Sequence, residues 1–353
     1  MIADAVPAES GPVLVVKLSS IGDVVHAIPG AAALARVRGP LDWLVEPPAA
    51  PLVASLPFVR RTHVLSADAA LASGWGALSE ELERLAGELR ACRYAVAVDL
   101  QGLLRSSLWT VRSGARTRVG RGRWPWLHRS DAMYDAATPH AVENTARVLS
   151  LLGVGAAAVA DAGEEAGREL ARALAPRTAR LRRDLGLSRP YWVFMPAARW
   201  PAKRLPLAGI DLPRGATHVF VGGADATGLV PASSGAVDCT GRLALLDSAA
   251  LALGADRVVA ADTGPAHLAA LAGARVVGCY GPTRPARTGL RGPAASSRAA
   301  ACGGCERRRC RRAATCLGPV VREAVGALPP GEVPARGPAA ERSVGQTRPS
   351  RGD

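Results

Sequence analysis

The fold follows from the segment Val13–Asp23, which reads VLVVKLSSIGD. Its apolar start, Val13–Val16, predicts a strand buried on both faces, as in a parallel sheet. The polar loop that follows leads into a helix beginning near Val24. Such a unit places its loop at the carboxyl edge of the sheet, where ligands bind in folds of this kind. Gly22 in that loop allows a ligand to approach the backbone closely.

Outward from this segment, strand and helix patterns alternate in two series, which predicts two α/β domains with parallel sheets, 12–180 and 188–325. The remainder, 326–353, is rich in Pro, Gly, Arg and Ser and is predicted to be a disordered tail. The first series has predicted strands at Leu41–Val45, Thr62–Leu65 and Tyr94–Asp99, and predicted helices at Ser79–Cys92, Leu103–Arg112, Glu143–Leu152 and Glu164–Leu185. The second has predicted strands at Tyr191–Met195, Thr217–Val221, Asp256–Ala261 and Arg275–Tyr280, and predicted helices at Leu243–Leu253 and Pro265–Ala272.

The composition excludes some classes of protein and leaves others open. A hydrophobic content of 48% excludes wholesale disorder. The net charge of +14 suits nucleic acid, an anionic membrane surface or a phosphorylated substrate, and does not choose among them. Only two of the 44 basic residues are lysine, Lys17 and Lys203. The chain shows no signal peptide pattern and no uncharged apolar run of membrane-spanning length, so we expect a cytoplasmic protein with reduced cysteines.

Two loops that follow strands carry groups suited to chemistry. In the first, Asp23 is either a functional carboxylate or a first-turn acid that stabilises its helix. In the second, Asp262–His267 (DTGPAH), the free N–H groups of a helix start form either an anion site or an ordinary capped terminus. The residue patterns alone leave both pairs of alternatives open.

A basic loop, Arg199–Pro206, follows the strand predicted at Tyr191–Met195. Its Lys203 is a compact cation that suits a phosphate group. The alternative is a solvated surface loop, which is the usual setting of clustered charge.

A late segment contains four cysteines, in the spacing C-x2-C-x4-C-x5-C. In a reducing compartment this pattern indicates either a zinc or iron–sulfur site or four reduced thiols. The spacing does not match a standard zinc ribbon. The candidate metal ligands are Cys302, Cys305, Cys310 and Cys316.

Five segments, in chain order over roughly residues 12–322, together resemble the signatures of the heptosyltransferase family of glycosyltransferase family 9. One departure is Leu205, which stands where the family carries tryptophan. The segments are 13–29 (VLVVKLSSIGDVVHAIP), 99–106 (DLQGLLRS), 203–206 (KRLP), 262–270 (DTGPAHLAA) and 280–285 (YGPTRP).

The resemblance implies a GT-B architecture, in which two Rossmann-like domains with parallel sheets face a cleft. The first domain would bind the acceptor and the second the nucleotide-sugar donor. The implied reaction transfers a heptose or related sugar, with inversion, from ADP-heptose to a sugar hydroxyl of the lipopolysaccharide inner core. The implied catalytic residues are Asp23 as general base and Lys203 as the cation for the leaving diphosphate. The implied donor contacts are Ser20, Ile21, Gly22, Asp225, Asp262, Thr263, Gly264, Pro265 and His267, and the implied acceptor contacts are Gln101 and Arg105.

By the same resemblance, transfer requires no cofactor, and we expect a monomer without a nucleic-acid partner. The acceptor is an anionic lipid, so the enzyme is expected at the inner face of the cytoplasmic membrane, bound peripherally through its charge. The stretch after Lys203 is short and lacks an amphipathic helix, which indicates a trimmed second domain. Two alternatives therefore stay open: a degenerate GT-B protein that binds nucleotide or glycolipid without turnover, and a basic four-cysteine metalloprotein that binds nucleic acid.

Overall fold

The structure, a computed structural model, describes residues 10–121, 127, 130–132, 140–231 and 236–326. Two six-stranded sheets organise this part of the chain, and each strand runs parallel to its neighbours. The prediction of two parallel α/β sheets is therefore confirmed. The predicted tail 326–353 falls, from residue 327 onward, outside the described residues.

The first half of the chain builds one sheet and the helices that cover it. Its strands are β1 (Val13–Val16), β2 (Leu41–Val45), β3 (Val59–Val64), β4 (Val96–Asp99), β5 (Thr117–Arg121) and β6 (Ser130–Ala132). Its helices are α1 (Ile21–Arg38), α2 (Ala50–Ala54), α3 (Ala67–Ala72), α4 (Trp75–Ala91), α5 (Leu104–Arg112), α6 (Ala141–Ser150) and α7 (Ala156–Asp184).

The second half repeats the plan with shorter connections. Its strands are β7 (Tyr191–Met195), β8 (Thr217–Phe220), β9 (Val237–Asp238), β10 (Arg257–Ala261), β11 (Val276–Tyr280) and β12 (Ser296–Ala299). Its helices are α8 (Leu245–Gly254), α9 (Gly264–Leu271), α10 (Pro285–Thr288) and α11 (Ala313–Gly326). Residues 204–216 form no helix, in agreement with the lack of an amphipathic pattern there.

The strand order is the same in both sheets. It is β3-β2-β1-β4-β5-β6 in the first sheet and β9-β8-β7-β10-β11-β12 in the second. Counted from each sheet's own first strand, this is the 3-2-1-4-5-6 order of dinucleotide-binding folds, in which ligands bind where the order reverses. The reversal lies between β1 and β4 in one sheet and between β7 and β10 in the other. The loops after β1 and β10 are the two loops that the sequence marks as candidates.

Helix α7 connects the two halves. It is 29 residues long and begins eight residues before the predicted Glu164, because its first turns are built of small residues without apolar periodicity. Two glycines let it pack closely on both sides. A Cβ on Gly163 would lie 3.0 Å from Pro29 Cβ in α1, and a Cβ on Gly167 would lie 2.4 Å from the carbonyl oxygen of Leu271 in α9. The main apolar core accordingly runs through both halves.

Several elements lie outside the sequence prediction, above all β5, β6, β12 and α11. Strand β5 carries Arg118 and Arg121, so it shows no continuous apolar run. Helix α11 contains Gly318 and Pro319, which weaken a helical pattern, yet it packs its apolar face on the second sheet. Among the described residues, no helix is both long enough and apolar enough to cross a membrane.

Candidate active site

A cavity of about 470 Å³ lies between the two sheets, at the carboxyl ends of their strands. This volume is in the usual range for a small-molecule site. The first half lines it with residues 18–23, His26 and Glu46, and the second half with Trp200, Lys203 and residues 262–265. The cavity therefore brings together the three loops that the sequence predicts to carry chemistry.

Asp23 occupies the first turn of α1 and lines this cavity. Its Oδ2 accepts hydrogen bonds from the backbone N–H of Ser20 at 3.2 Å and from the Ser20 hydroxyl at 2.8 Å. Burial alone would raise the pKa of Asp23, but the charge of Lys17 and the two bonds from Ser20 outweigh it and lower the pKa. Asp23 thus stabilises its helix and also presents an ionised carboxylate to the cavity.

The two candidate loops touch each other. A Cβ on Gly264 would lie 2.5 Å from Ile21 Cβ and 3.3 Å from the backbone nitrogen of Gly22. A Cβ on Gly22 would in turn lie 3.0 Å from Cδ2 of His267. Side chains at these two positions would push the loops apart, so both glycines are required by the close approach of the halves.

Asp262 is the centre of the second-half network. Its Oδ2 accepts from Lys203 Nζ at 2.7 Å and from the Thr283 hydroxyl at 2.7 Å, and its Oδ1 pairs with Nε2 of His267 at 3.0 Å. Burial alone would raise the pKa of Asp262, but the bond and charge of His267, together with the Lys203 ammonium, hold it well below its usual range. Asp262 therefore fixes the position of the cation on the cavity wall.

Lys203 is largely buried, with 17% of its side chain exposed. Its ammonium also lies 4.6 Å from the ring centroid of Trp200, which adds a cation–π contact. The lysine thus belongs to the cavity wall and is not part of a solvated loop.

Thr263, Gly264 and Pro265 continue this wall at the start of α9. Pro265 has no N–H, and the N–H groups of Ala266 and His267 donate to the Thr263 carbonyl at 3.1 and 3.3 Å. The backbone donors offered to an anion here are therefore those of Thr263 and Gly264.

Gln101 holds the first loop in place. Its Oε1 accepts hydrogen bonds from the backbone N–H groups of Leu18 at 2.8 Å and Ser19 at 3.3 Å. Asp99, at the end of β4, in turn accepts from the backbone N–H of Gln101 at 2.8 Å. The predicted acceptor contact Gln101 is therefore engaged with the protein through its oxygen, while it also lines a second cavity.

That second cavity has a volume of about 240 Å³ and adjoins the first. Its charged lining residues are Lys17, Asp23, Arg121 and Arg287. Lys17 donates to the carbonyl of Leu100 at 3.2 Å, and burial lowers its pKa despite the nearby carboxylate of Asp23. This cationic space beside the Asp23 carboxylate suits an acceptor that carries anionic groups.

Arg105 lies at the rim of the site. Its guanidinium pairs with Glu46 at 2.7 Å and reaches the Ser19 hydroxyl at 3.5 Å. It is absent from the residues that line the two cavities, whereas its partners Glu46 and Ser19 line the first. Arg105 can therefore meet an acceptor only from the edge of the cleft.

Asp225 is not brought to the cavity. It is exposed in the short 3₁₀ turn Ala224–Ala226, outside the residues that line the site. The trimmed connections of the second half explain this position, since β8 is followed by a turn and no full helix. Its role as a donor contact remains a prediction.

Three histidine rings stack at the wall of the cleft, an arrangement that the sequence does not predict. The ring of His26 lies 4.9 Å from that of His140 and 4.6 Å from that of His267, both edge to face. His140 also bonds the carbonyl of Gly289 across the two halves at 2.8 Å. The signal that could have found His26 is its spacing, because it lies three residues after Asp23 and so on the same side of α1.

The four late cysteines lie near one another without converging. Cys302 Sγ is 2.8 Å from Cys316 Sγ, and the pKa of Cys316 is raised to about 11, chiefly by its hydrogen bond with Cys302. Four thiols are a suitable donor set for zinc or iron, whose sulfur ligands lie about 2.3 Å from the metal. Yet in residues 302–316, all of them described, no three sulfurs lie within 4.8 Å of one another. This arrangement does not form a closed metal site.

A different group of possible ligands does converge, away from the cleft. Atoms of Asp42, His63 and Cys92 lie within 4.8 Å of one another. The Asp42 carboxylate is already bound by the Arg60 guanidinium, at 2.9 Å for each oxygen, and by the Tyr94 hydroxyl at 2.7 Å. These contacts identify it as a buried ion-pair network that joins β2 and β3.

Together, an ionised carboxylate and a cation beside backbone N–H donors face one cavity, which suits group transfer with an anionic leaving group. Residues 82–320 match the sequence profile of glycosyltransferase family 9 (heptosyltransferase). The chain is 30% identical over 318 residues to lipopolysaccharide heptosyltransferase 1 of Pseudomonas aeruginosa, a match that covers 79% of this chain and 81% of that protein.

Solved structures are similar in fold. A family 9 glycosyl transferase from Veillonella parvula has a TM-score of 0.65 and 19% identity, covering 84% of this chain and 87% of that one. The E. coli heptosyltransferase WaaC, solved with ADP, has a TM-score of 0.63 and 22% identity, covering 89% and 99%. The predicted GT-B architecture is thereby confirmed, and the chain belongs to glycosyltransferase family 9, the heptosyltransferases.

Proposed function

We propose that this protein is an inverting glycosyltransferase that moves a heptose from ADP-heptose to a sugar hydroxyl of the lipopolysaccharide inner core. The observation that carries the proposal is the shared cavity, where Asp23 from the first half faces Lys203 and the start of α9 from the second. The relatives are named for this activity, and WaaC has been solved with ADP and with a fluorinated ADP-heptose.

In the proposed reaction, the oxygen of the acceptor hydroxyl attacks the anomeric carbon from the face opposite the diphosphate. Asp23 takes the proton of that hydroxyl during the attack. The bond from that carbon to the diphosphate breaks, and ADP leaves with the electron pair. Lys203 and the N–H groups at the start of α9 stabilise the charge that develops on the diphosphate. A donor diphosphate would share the ammonium that Asp262 now holds. We propose that this step needs no cofactor, because the Lys203 ammonium and the N–H donors supply the positive charge and the hydrogen bonds that stabilise the leaving diphosphate.

The acceptor is proposed to enter through the 240 Å³ cavity beside Asp23. Lys17 and Arg121 would meet its anionic groups, with Gln101 at the wall and Arg105 at the entrance. The chain carries a net charge of +14, and each basic residue near an anionic membrane contributes about 1 kcal/mol of attraction. We therefore propose that the enzyme works as a monomer at the cytoplasmic face of the membrane, held there by electrostatics.

The test is a transfer assay with purified protein, ADP-heptose and a truncated lipopolysaccharide core, read by ADP release and by the mass of the core. The core should gain the mass of one heptose. Binding of ADP-heptose without any gain in mass would instead support the degenerate, non-catalytic alternative. Preference for another nucleotide sugar would retain the transferase and replace the donor.

The cysteine segment 302–316 is proposed to bind zinc or iron only after the loop rearranges, since its sulfurs do not converge in this structure. Five arginines lie among these cysteines between 307 and 312. A nucleic-acid-binding role for the segment is not favoured, because it would not explain the loops after β1 and β10 that meet at the cleft.

A further inference from the structure

Asp23, His26 and Thr288 line both the 470 Å³ cavity and the 240 Å³ cavity. They therefore mark the junction between the two spaces. Asp23 and His26 come from α1 in the first half, and Thr288 ends α10 in the second. The junction is thus built by both halves of the chain.

Polar atoms at this junction lack partners. Both ring nitrogens of His26 and the hydroxyl oxygen of Thr288 are buried and have no hydrogen-bond partner among the described residues. His26 is only 5% exposed. Buried donors and acceptors are normally paired in folded proteins, so unpaired groups on the wall of a cavity point to a partner inside that cavity.

The chemistry of these groups specifies the ligand. Burial and the neighbouring His267 and His140 lower the pKa of His26 well below its usual value, so its ring is neutral at physiological pH. A neutral imidazole donates one hydrogen bond and accepts one, and a threonine hydroxyl does both. Sugar hydroxyls also donate and accept, so they match this pair better than a phosphate or carboxylate does.

The location of these groups between the two cavities identifies which sugar would bind to them. Before transfer the anomeric carbon is bonded to the diphosphate, which belongs to the first cavity. After transfer it is bonded to the acceptor oxygen beside Asp23, in the second cavity. Only the transferred sugar must occupy the junction throughout the reaction.

We propose that His26 and Thr288 bind hydroxyl groups of the transferred sugar and act as specificity-determining residues for it. This inference rests on the proposed function, because it assumes that the cleft transfers a sugar. It adds a neutral subsite to the charged groups that bind the diphosphate and the acceptor. In this proposal His26 binds hydroxyl groups of the sugar, while Asp23, on the same helix, is the general base.

The experiment compares the dissociation constants of ADP-heptose and ADP by calorimetry, in wild type and in two variants. His26→Phe keeps an aromatic ring against His140 and His267 but removes both nitrogens. Thr288→Val keeps the shape and removes the hydroxyl. We expect each variant to bind ADP-heptose about 10-fold more weakly, since a hydroxyl of the bound sugar is then left buried without its hydrogen-bond partner. We expect ADP, which lacks the sugar, to bind within about twofold of wild type.

Two further variants guard against a purely structural effect. Thr288→Ser restores the hydroxyl and should recover the affinity for ADP-heptose. His140→Phe alters the same histidine stack at a residue that lines neither cavity, and it should leave the ratio of the two affinities unchanged.

The outcomes separate the two proposals. If His26→Phe and Thr288→Val keep the wild-type ratio, or weaken ADP as much as ADP-heptose, the subsite is wrong although the enzyme transfers heptose. If the wild type binds a different nucleotide sugar, the same ratio is measured with that donor and its nucleotide. Failure of the wild type to bind any ADP-, UDP- or GDP-sugar overturns the proposed function and the subsite together.

Discussion

The ammonium nitrogen of Lys203 lies 2.7 Å from Oδ2 of Asp262, joining the loop after β7 to the loop after β10. The pair fixes a compact cation on the cavity wall. Neither carboxylate oxygen of Asp262 is free to bind a cation larger than the lysine ammonium, because Thr283 also donates to Oδ2 and His267 pairs with Oδ1.

This arrangement predicts that Lys203→Arg is not a conservative change. The guanidinium is planar and larger, so it would compete with Thr283 and His267 for Asp262 and move the charge away from the diphosphate. We expect the affinity for ADP to fall about 10-fold, a loss of about 1.4 kcal/mol, measured by calorimetry.

Its control is Arg189→Lys, which alters an exposed ion pair with Asp256 away from the cavity. ADP should bind to that variant as to the wild type. Equal ADP affinity of Lys203→Arg and wild type would contradict a role for Lys203 in diphosphate binding.

The general base is tested by Asp23→Asn. The amide cannot accept the proton, so kcat should fall by about 100-fold to 10,000-fold, while KM for the donor changes little. A matched control exists in Asp238, whose Oδ1 accepts from the N–H of Thr240 at 2.9 Å and from its hydroxyl at 2.7 Å. Asp238→Asn removes the same kind of local bonding outside the cavity and should leave kcat unchanged.

The pH profile gives an independent check on the same base. Lys17 and Ser20 lower the pKa of Asp23 from its ordinary value of 3.8, so the carboxylate stays ionised as pH falls toward that value. Transfer activity should therefore show no loss attributable to Asp23 between about pH 5 and 8. An acid limb within that range that shifts along the pH axis in Asp23→Glu would show that the pKa of Asp23 is raised instead.

The contact between the two loops predicts a strong effect of a single methyl group. In Gly264→Ala the new Cβ would meet Ile21 at 2.5 Å, so the loops must separate. We expect a loss of about 1–3 kcal/mol in the free energy of unfolding, with weaker ADP binding. Gly87→Ala, in α4 with no heavy atom within 4 Å of its new Cβ, should be neutral or slightly stabilising. Equal unfolding midpoints for the two variants would be evidence against the contact.

Stability should depend on pH through the histidine stack. Burial and the charges of Arg291 and His267 outweigh the bond to Gly289 and lower the pKa of His140 from 6.5 to about 4. The folded protein thus binds fewer protons than the unfolded chain between these values, so this contribution is complete above pH 6.5 and is lost as pH falls toward 4. The melting temperature should fall over that window, and the fall should be smaller in His140→Phe. An unchanged slope in the variant would assign the effect to other groups.

The cysteine segment predicts a difference in thiol reactivity. Cys302 and Cys305 are exposed, whereas Cys239 and Cys279 are buried and burial raises the pKa of both buried thiols. Alkylation of the native protein should therefore modify the two exposed cysteines first and leave the buried pair unmodified until unfolding. Added zinc should protect the four thiols of 302–316 if the loop closes around a metal. Unchanged alkylation rates with zinc, together with a metal-free purified protein, would leave this segment without a metal.

The sequence predicts which loops form the site, but it does not predict which residues of those loops contact each other. Asp23 and Asp262 could each be placed at the carboxyl edge of its own sheet because both follow buried parallel strands, and the family resemblance then placed the two edges across one cleft. The pairing of Lys203 with Asp262 could not, since 59 positions separate them and nothing local records their distance. For the same reason the sequence treats Gln101 as an acceptor contact, whereas the structure also uses it to hold Leu18 and Ser19.

The elements that escaped prediction are those whose stability comes from tertiary packing. Helix α11 contains Pro319 but buries Leu317 and Val321 against the second sheet. The histidine stack has the same origin, because His267 of the second half meets His26 of the first only once the two halves dock. Secondary-structure propensity and hydrophobic periodicity depend on residues that are close in the chain, so they do not predict contacts between distant residues.

The point where Gly264 meets Ile21 also limits how the protein can move. Backbone and side chain are already in contact there, so the halves cannot slide toward each other along the line that joins these two residues. Any narrowing of the cleft around a donor must turn about this point, as about a fulcrum. Residues far from it would then travel farthest, while Asp23 and His26 on the same helix as Ile21 would hardly shift.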